Sequence, residues 1–504
     1  MRQTDHTVGG WLAERAALTP DRTAIDFGGR LISYRELADG AARRATALAA
    51  AGLKAGDRVA TLTRNCPEQV ELLFACARAG LIVVPLNWRL TAAELAYQLR
   101  DAGPAVLLAE PSLRALADEA TGQAGGPRAE PLTGVPETAR TAAVPGSAPA
   151  DDDPLFILYT SGTTGKPKGA VLTHANCFWT NLSFDRTAEM SGHDVVLQVL
   201  PQCHVGGWNV QPLLAWWKGA TVVLEQAFDA LRVLRLIAAR RVTTMMGVPT
   251  NYLMLAAHPA FGDADLSSLR QVIVGGAPMP LSLIEKWTAR GVTVLQGYGL
   301  TEAAPNVLCV PPEYARDKAG SAGRPYLHVR VALRDLDRDG RVDGPGIGEL
   351  LVSGPNVFAG YWRNPQATSA VLDDGWLASG DVAERDADGF YWIRGRLRDM
   401  YISGGENVYP AEVEEVLVAH EAVAEAAVIG VPDERWGETG LAFVVFRSGR
   451  ELPAAELAGY CRTRLAAYKV PGHFRTVAEL PRLTSGKVDK MALARIWDAA
   501  PARR

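Results

Sequence analysis

The segment Tyr159-Thr160-Ser161-Gly162-Thr163-Thr164-Gly165-Lys166-Pro167-Lys168-Gly169 follows directly on the apolar run Leu155–Tyr159, and no other feature constrains this chain as strongly. Glycines at 162, 165 and 169 let the backbone come close to an anion. The hydroxyls of Thr160, Ser161, Thr163 and Thr164, with the ammonium groups of Lys166 and Lys168, can donate to several phosphate oxygens at once. It is not a Walker A loop, because Lys166 is followed by Pro167 and not by Ser or Thr. A flexible Gly/Ser linker would neither follow an apolar strand nor carry two lysines. The expectation is a phosphate-binding loop at the end of a buried strand.

Around that loop, short apolar runs alternate with helical spacing. Thr23–Phe27 and Arg30–Ser33 read as a hairpin through Gly28-Gly29, and Tyr34–Ala51 as a helix stopped by Gly52. Arg58–Thr63 and Leu81–Pro85 have strand length, with a helix from Pro67 to Gly80 between them. Alternation resumes through Val195–Leu200, Thr221–Leu224, Thr243–Met246, Gln271–Val274 and Val292–Gln296. This predicts an α/β sandwich with largely buried strands. Residues 119–153, rich in Ala, Gly, Pro, Thr and acids, are expected as a surface excursion. After about 325 the texture changes to strands with tight turns, and the last hundred residues form an α/β unit with a boundary near Arg396–Met400. Asp335-Leu336-Asp337-Arg338-Asp339-Gly340 begins like a calcium loop, but the twelfth position is Gly346 where that loop needs Glu, so a turn at Asp339-Gly340 is expected.

At 504 residues the chain exceeds one ordinary domain. A net charge of −4 gives no basic character for nucleic acid. The best apolar stretch, Leu72–Leu86, is cut by Arg78 and Pro85, so no transmembrane segment is predicted. Six cysteines without CxxC pairing, and a first stretch carrying Arg2, Asp5, Glu14 and Arg15, predict a reduced, cytoplasmic compartment.

The loop and seven further motifs, in order, resemble the adenylate-forming superfamily of acyl-CoA synthetases, peptide-synthetase adenylation domains and firefly luciferase. They are Leu200-Pro201-Gln202-Cys203-His204, Gly275-Gly276-Ala277-Pro278, Gln296-Gly297-Tyr298-Gly299-Leu300-Thr301-Glu302, Ser379-Gly380-Asp381, Gly395-Arg396-Leu397-Arg398-Asp399, Gly404-Gly405-Glu406-Asn407-Val408-Tyr409-Pro410, and Pro481-Arg482-Leu483-Thr484-Ser485-Gly486-Lys487. The resemblance implies a large N-terminal domain, residues 1–396, of α/β sandwich subdomains plus a β-rich subdomain. A small mobile α+β C-terminal domain, residues 397–504, would follow a hinge at Arg398. It also implies ATP, Mg²⁺ and CoA. A carboxylate would attack the α-phosphate, pyrophosphate would leave, and a thiol would capture the acyl-adenylate.

By the same resemblance, Thr160, Ser161, Gly162, Thr163, Thr164, Gly165 and Lys168 would hold the β- and γ-phosphates, with Thr160 and Glu302 at the metal. Gly276, Ala277, Pro278, Gln296, Gly297, Tyr298, Gly299 and Thr301 would line the nucleotide slot, and adenine would stack on Tyr298. Asp381, with Arg396 beside it, would accept the ribose hydroxyls; Ser379 stands where relatives usually have Thr. Lys487 would bridge the attacking carboxylate and the α-phosphate. After domain rotation Gly404, Gly405, Glu406 and Asn407 would admit a pantetheine arm.

His204 resembles the gate beside the acyl carbonyl. A Cys203–His204 dyad is disfavoured, because neighbours on an extended segment point to opposite faces. The acyl pocket would draw on His204, Gly207, Trp208, Met246, Val274, Gly275 and Gly299. These carry no Arg or Lys to meet a second carboxylate, and Gly206 stands where amino-acid-activating relatives place Asp. What remains is a hydrophobic monocarboxylic acid, either a chain or a ring. Trp216 and Trp217 could floor a short pocket or simply pack in the core. The acceptor is expected to be CoA, with a carrier-protein phosphopantetheine or an amine as the alternative. A second copy of the chain stays open as a partner. A non-catalytic nucleotide sensor is disfavoured by the joint presence of Thr163, Lys168, Glu302, Asp381 and Lys487.

Overall fold

The computed structural model describes residues 6–132, 149–160, 166–336, 338, 340–403, 406–433, 436–483 and 486–498. The chain divides into two compact units: Met1–Val331 with Leu351–Ala378, and Ala332–Leu350 with Ser379–Arg504. It passes between them within the strands Arg330–Arg334, Gly346–Ser353 and Trp376–Arg385. The junction expected at 396/397 thus lies inside the second unit, whose hairpin Trp376–Arg385/Tyr391–Arg396 turns at Asp388-Gly389.

Among the described residues the first unit carries two large sheets. One runs in the order 324–325, 306–309, 293–299, 271–274, 244–247, 195–198, 221–224, 23–27, 30–33. Its six strands from 293–299 to 23–27 are parallel neighbours. The other runs 360–361, 168–173, 154–160, 82–86, 58–62, 106–109, 129–131, parallel from 154–160 onward. Strands covered on both faces read as unbroken apolar runs, and Ile82–Leu86 is buried at every position. The helices around them start where the chain supplies caps: Ser33 with Glu36, and Thr91 with Glu94, form reciprocal capping boxes.

The expected excursion at 119–153 is more ordered than its composition suggests. The helix Arg114–Ala124 runs into it, and Ala129–Pro131 adds a parallel strand beside Val106–Ala109. Ala117, Ala120 and Ala129 are fully buried, so small side chains allow close packing without aromatic anchors. Residues 133–148 lie outside the described part. So do Asp337 and Asp339 of the calcium-like stretch. Among the described residues no group of three or more His, Cys, Asp or Glu could hold a metal ion, and no helix is long and apolar enough to cross a membrane.

The second unit is built on a sheet ordered 406–408, 401–403, 437–446, 423–433, with 473–476 parallel to 437–446. The helices Pro410–Val418 and Ala454–Arg462 bury Val413, Leu417, Leu457 and Cys461 in a core shared with Val428 and Val444.

One buried group makes the first unit sensitive to acid. His174, fully buried at the start of the helix His174–Ala188, accepts the Val8 N–H at Nδ1 over 3.2 Å, so its neutral ring carries the proton on Nε2. Burial pushes its pKa down to about 4, against the pull of Asp153 and Asp151. The unfolded chain takes up that proton near pH 6.5 while the folded chain resists it until near 4. This share of stability is therefore whole above 6.5 and lost as pH falls toward 4, roughly 3 kcal/mol in all. Urea melts at pH 7, 5.5 and 4.5 should show that slope in the parent and a flatter one in His174→Asn; parallel slopes would rule the assignment out.

Candidate active site

In an open parallel sheet, ligands gather at the carboxyl ends of the strands. The first unit puts three of the quoted motifs there, together with the acyl-pocket candidate Met246. The strand Val195–Gln198 leads into Leu200–His204, and Thr244–Gly247 leads into Val248. Gln271–Val274 ends in an exposed turn through Gly276, Ala277 and Pro278, where Gly276 holds φ +82°. Thr293–Gly299 ends beside the 3₁₀ turn Thr301–Ala303 that carries Glu302. Tyr298, partly exposed, is paired with Leu308 across the edge of this sheet.

Gln296 belongs to the interior instead. Its Oε1 accepts the Met279 N–H at 2.9 Å, and its Nε2 donates to the Gly320 and Ser321 carbonyls at 3.1 and 3.0 Å. With both donors and the acceptor engaged, the side chain anchors the turn after 278.

The metal and phosphate candidates converge. Thr160 closes the strand Pro154–Thr160 and is the cross-strand partner of Lys168. Thr160 Oγ1 lies 3.4 Å from Glu302 Oε1. The same Oε1 accepts the Tyr361 hydroxyl at 2.8 Å, and the Lys168 ammonium sits 5.1 Å from the centre of the Tyr361 ring. Tyr361 therefore ties the carboxylate to the lysine, and sequence reasoning missed it. The sequence gives only a weak sign of it, a Gly-Tyr-Trp triplet at 360–362 in a turn-rich stretch; its place comes from pairing with Ala170 on the strand Lys168–Thr173. The turn carrying Glu302 is fixed by the Phe358 N–H on the Glu302 carbonyl at 2.9 Å and by Asn356 Nδ2 on the Ala303 carbonyl at 3.0 Å. One carboxylate beside one hydroxyl is the sparse donor set with which Mg²⁺ is held at nucleotide sites, so the residues fit that ion. Ser161, Gly162, Thr163, Thr164 and Gly165 lie outside the described residues.

The acyl candidates separate into two groups. Cβ atoms added at Gly275 and Gly206 would come within 3.1 and 3.9 Å of the Met246 methyl, so these three residues face one space. Trp208 and Val274 instead pack inward and are fully buried. The Trp208 indole donates to the Gln202 carbonyl at 2.6 Å and its ring lies 5.8 Å from Phe156, while Val274 joins the core around Tyr252 and Trp287. Both side chains pack in the interior: Trp208 from the short helix Gly206–Asn209, and Val274 from the end of the strand Gln271–Val274, whose alternate residues face opposite sides. Trp216 is also core, donating to the Ala24 carbonyl at 3.3 Å, and Trp217 stacks on Trp11. The segment at Cys203–His204 is a turn, not extended. Cys203 is nonetheless no nucleophile, since burial pushes its thiol up to about 12, and His204 next to it is half-buried.

In the second unit the ribose candidates meet as a cross-strand pair. Asp381 and Arg396 are in register, with Arg396 Nε 2.7 Å from Asp381 Oδ1. Ser379 Oγ accepts the Asp381 N–H at 3.1 Å, which fixes the turn. Arg398 lies in the 3₁₀ turn Leu397–Asp399 with an exposed side chain 3.5 Å from Asp399. Glu406 and Asn407 belong to a short strand paired with Tyr401–Ser403, and Gly404 and Gly405 lie outside the described residues. Lys487 stands exposed on a tight turn closed by the Leu483 N–H on its own carbonyl at 2.8 Å, where Gly486 takes φ +83°.

Residues 12–362 match the AMP-binding enzyme family, and residues 412–487 match the AMP-binding enzyme C-terminal domain. A feruloyl-CoA synthase of Amycolatopsis sp. is 44% identical over 96% of this chain and 97% of its own length. An indoleacetate–CoA ligase of Aromatoleum aromaticum is 42% identical over 95% and 96%. The o-succinylbenzoate CoA synthetase of Bacillus subtilis, solved with its acyl-adenylate intermediate, superposes with a TM-score of 0.87 at 34% identity, covering 98% of each chain. It has also been solved with ATP and a magnesium ion (TM-score 0.85, 34% identity, 95% and 98% covered). With this coverage and the geometry above, the chain belongs to the AMP-binding enzyme family, in the acyl-CoA synthetase branch of the adenylate-forming superfamily.

Proposed function

We propose that the acid this CoA ligase activates is an aryl carboxylic acid, converted with ATP to an aryl-adenylate with release of pyrophosphate and then passed to the CoA thiol with release of AMP. The observation that carries this reading is Met246. Its methyl fills the space that Gly206 and Gly275 leave open, which favours a shallow slot with a flat, polarisable wall over a long channel. The feruloyl- and indoleacetate-activating relatives point the same way.

In this reading Tyr298 stacks the adenine above Gly276, Ala277 and Pro278, and Gly297, Gly299 and Thr301 shape that slot. Asp381, oriented by Arg396, accepts the ribose hydroxyls. Mg²⁺ supplies charge neutralisation on phosphate oxygens when bound, and Thr160 with Glu302 would hold it. Tyr361 keeps Glu302 aimed, and Lys168 adds a point charge among the phosphates. Lys487 meets the carboxylate and the α-phosphate together. A rotation at Arg398, between a domain ending near 396 and one beginning near 397, then withdraws it. The loop 404–407 takes its place, and the thiol reaches the acyl carbonyl past His204.

The test is AMP release with ATP, Mg²⁺ and CoA against benzoate-like, phenylpropenoate-like, indolyl and C2–C16 aliphatic acids. Aryl acids should lead in kcat/KM, and Met246→Ala should shift the preference toward bulkier acids. A lead by C8–C16 acids would overturn the aryl reading. Activity with carrier-bound phosphopantetheine but not with free CoA would replace the acceptor.

A further inference from the structure

The segment Leu200–His204 has no regular structure of its own, and side chains from outside it hold the Leu200 carbonyl and both the N–H and the carbonyl of Gln202. Asn65, on the loop after the strand Arg58–Leu62, is buried. Its Nδ2 donates to the Leu200 carbonyl at 2.9 Å and to the Glu225 carbonyl at 3.0 Å, and its Oδ1 accepts the Gln202 N–H at 2.8 Å. Gln198, equally buried, donates to the Leu200 carbonyl at 2.8 Å and to that of Gly207 at 3.2 Å. Trp208 takes the Gln202 carbonyl at 2.6 Å. Gly207 closes the fold-back, since a Cβ there would lie 2.4 Å from the Pro201 carbonyl oxygen.

We propose that Asn65 is the positioning residue of the gate. It fixes the backbone of Leu200–Gln202 so that His204 opens and closes by side-chain rotation on a stationary loop. A buried amide with both donors and its acceptor engaged resists displacement, because each freed partner would be left unsatisfied away from water. Asn65 also joins three pieces of chain: the loop after 62, the start of the gate and the residue following the strand Thr221–Leu224. The inference rests on reading His204 as the gate of the thioester step.

The test uses full-length Asn65→Ala, Asn65→Asp and Gln198→Leu. Three rates are followed per folded enzyme: carboxylate-dependent pyrophosphate exchange, its dependence on ATP and on acid, and thioester formation from preformed acyl-AMP. Displacing the gate should raise the acid KM and slow the thioester step by about tenfold or more, the equivalent of one lost buried hydrogen bond, while the ATP KM stays put. Gln198→Leu, which removes the second donor to the same Leu200 carbonyl, should change the same two quantities in the same direction. A lower melting temperature with unchanged constants in all three variants would make Asn65 a structural residue only and overturn the proposal. His204→Ala separates the two failures. If it too leaves the partition between half-reactions unchanged, the gate reading falls; if it shifts the partition while Asn65 is silent, only the positioning role falls.

Discussion

Lys487→Ala is expected to slow carboxylate-dependent pyrophosphate exchange by about 100- to 1,000-fold, the usual cost of removing one preorganised charge donor from a transition state. The same protein should convert preformed acyl-AMP and CoA to thioester at close to the parent rate. The physical reason is timing. An ammonium shared by the attacking carboxylate and the α-phosphate stabilises charge only while that bond exchange proceeds. The substitution should also leave the fold intact, because Lys487 is exposed on a turn held by backbone bonding between 483 and 487. Stopped-flow assays of the two half-reactions decide it. Comparable losses in both would remove Lys487 from its assigned step.

The complementary result is expected from Arg398→Pro. Arg398 lies in the first turn of a 3₁₀ segment, where proline is tolerated, and its exposed guanidinium lies 3.5 Å from Asp399. Pyrophosphate exchange should therefore survive. A change of φ at this residue is what proline forbids, so thioester formation should be the half-reaction that is lost. Together with Lys487→Ala this gives a crossed pair, each variant stopping a different half. If Arg398→Pro forms thioester normally, the pivot lies elsewhere in the chain.

What sequence could reveal follows the range of the interactions. Helix and strand positions in the first unit were legible because periodicity and capping are local: Ser33 and Glu36 are three residues apart, and Gln271–Val274 is one short buried run. The hidden parts were contacts between distant segments. Nothing near 296 indicates that its amide is consumed by 279, 320 and 321. Nothing near 361 indicates that a two-residue edge strand would deliver a phenol to Glu302. Residues 119–131, the part of the expected excursion that is described, misled because composition records the lack of large anchors and not the closeness of packing.

By itself, then, the sequence determined the class of chemistry. A hydroxyl-rich glycine loop following an apolar run, with Glu302, Asp381 and Lys487 in ordered motifs, carries the resemblance to the adenylate-forming family and so the class of reaction. Those properties reside in residue types and in spacing along the chain. Only the tertiary structure decided which side chains support the chemistry from behind. Tyr361 on Glu302, Asn65 on the backbone of Leu200 and Gln202, and Met246 against Gly206 and Gly275 are brought together by sheet register and strand order. Such pairings join residues far apart in the chain, and a local pattern carries no record of them.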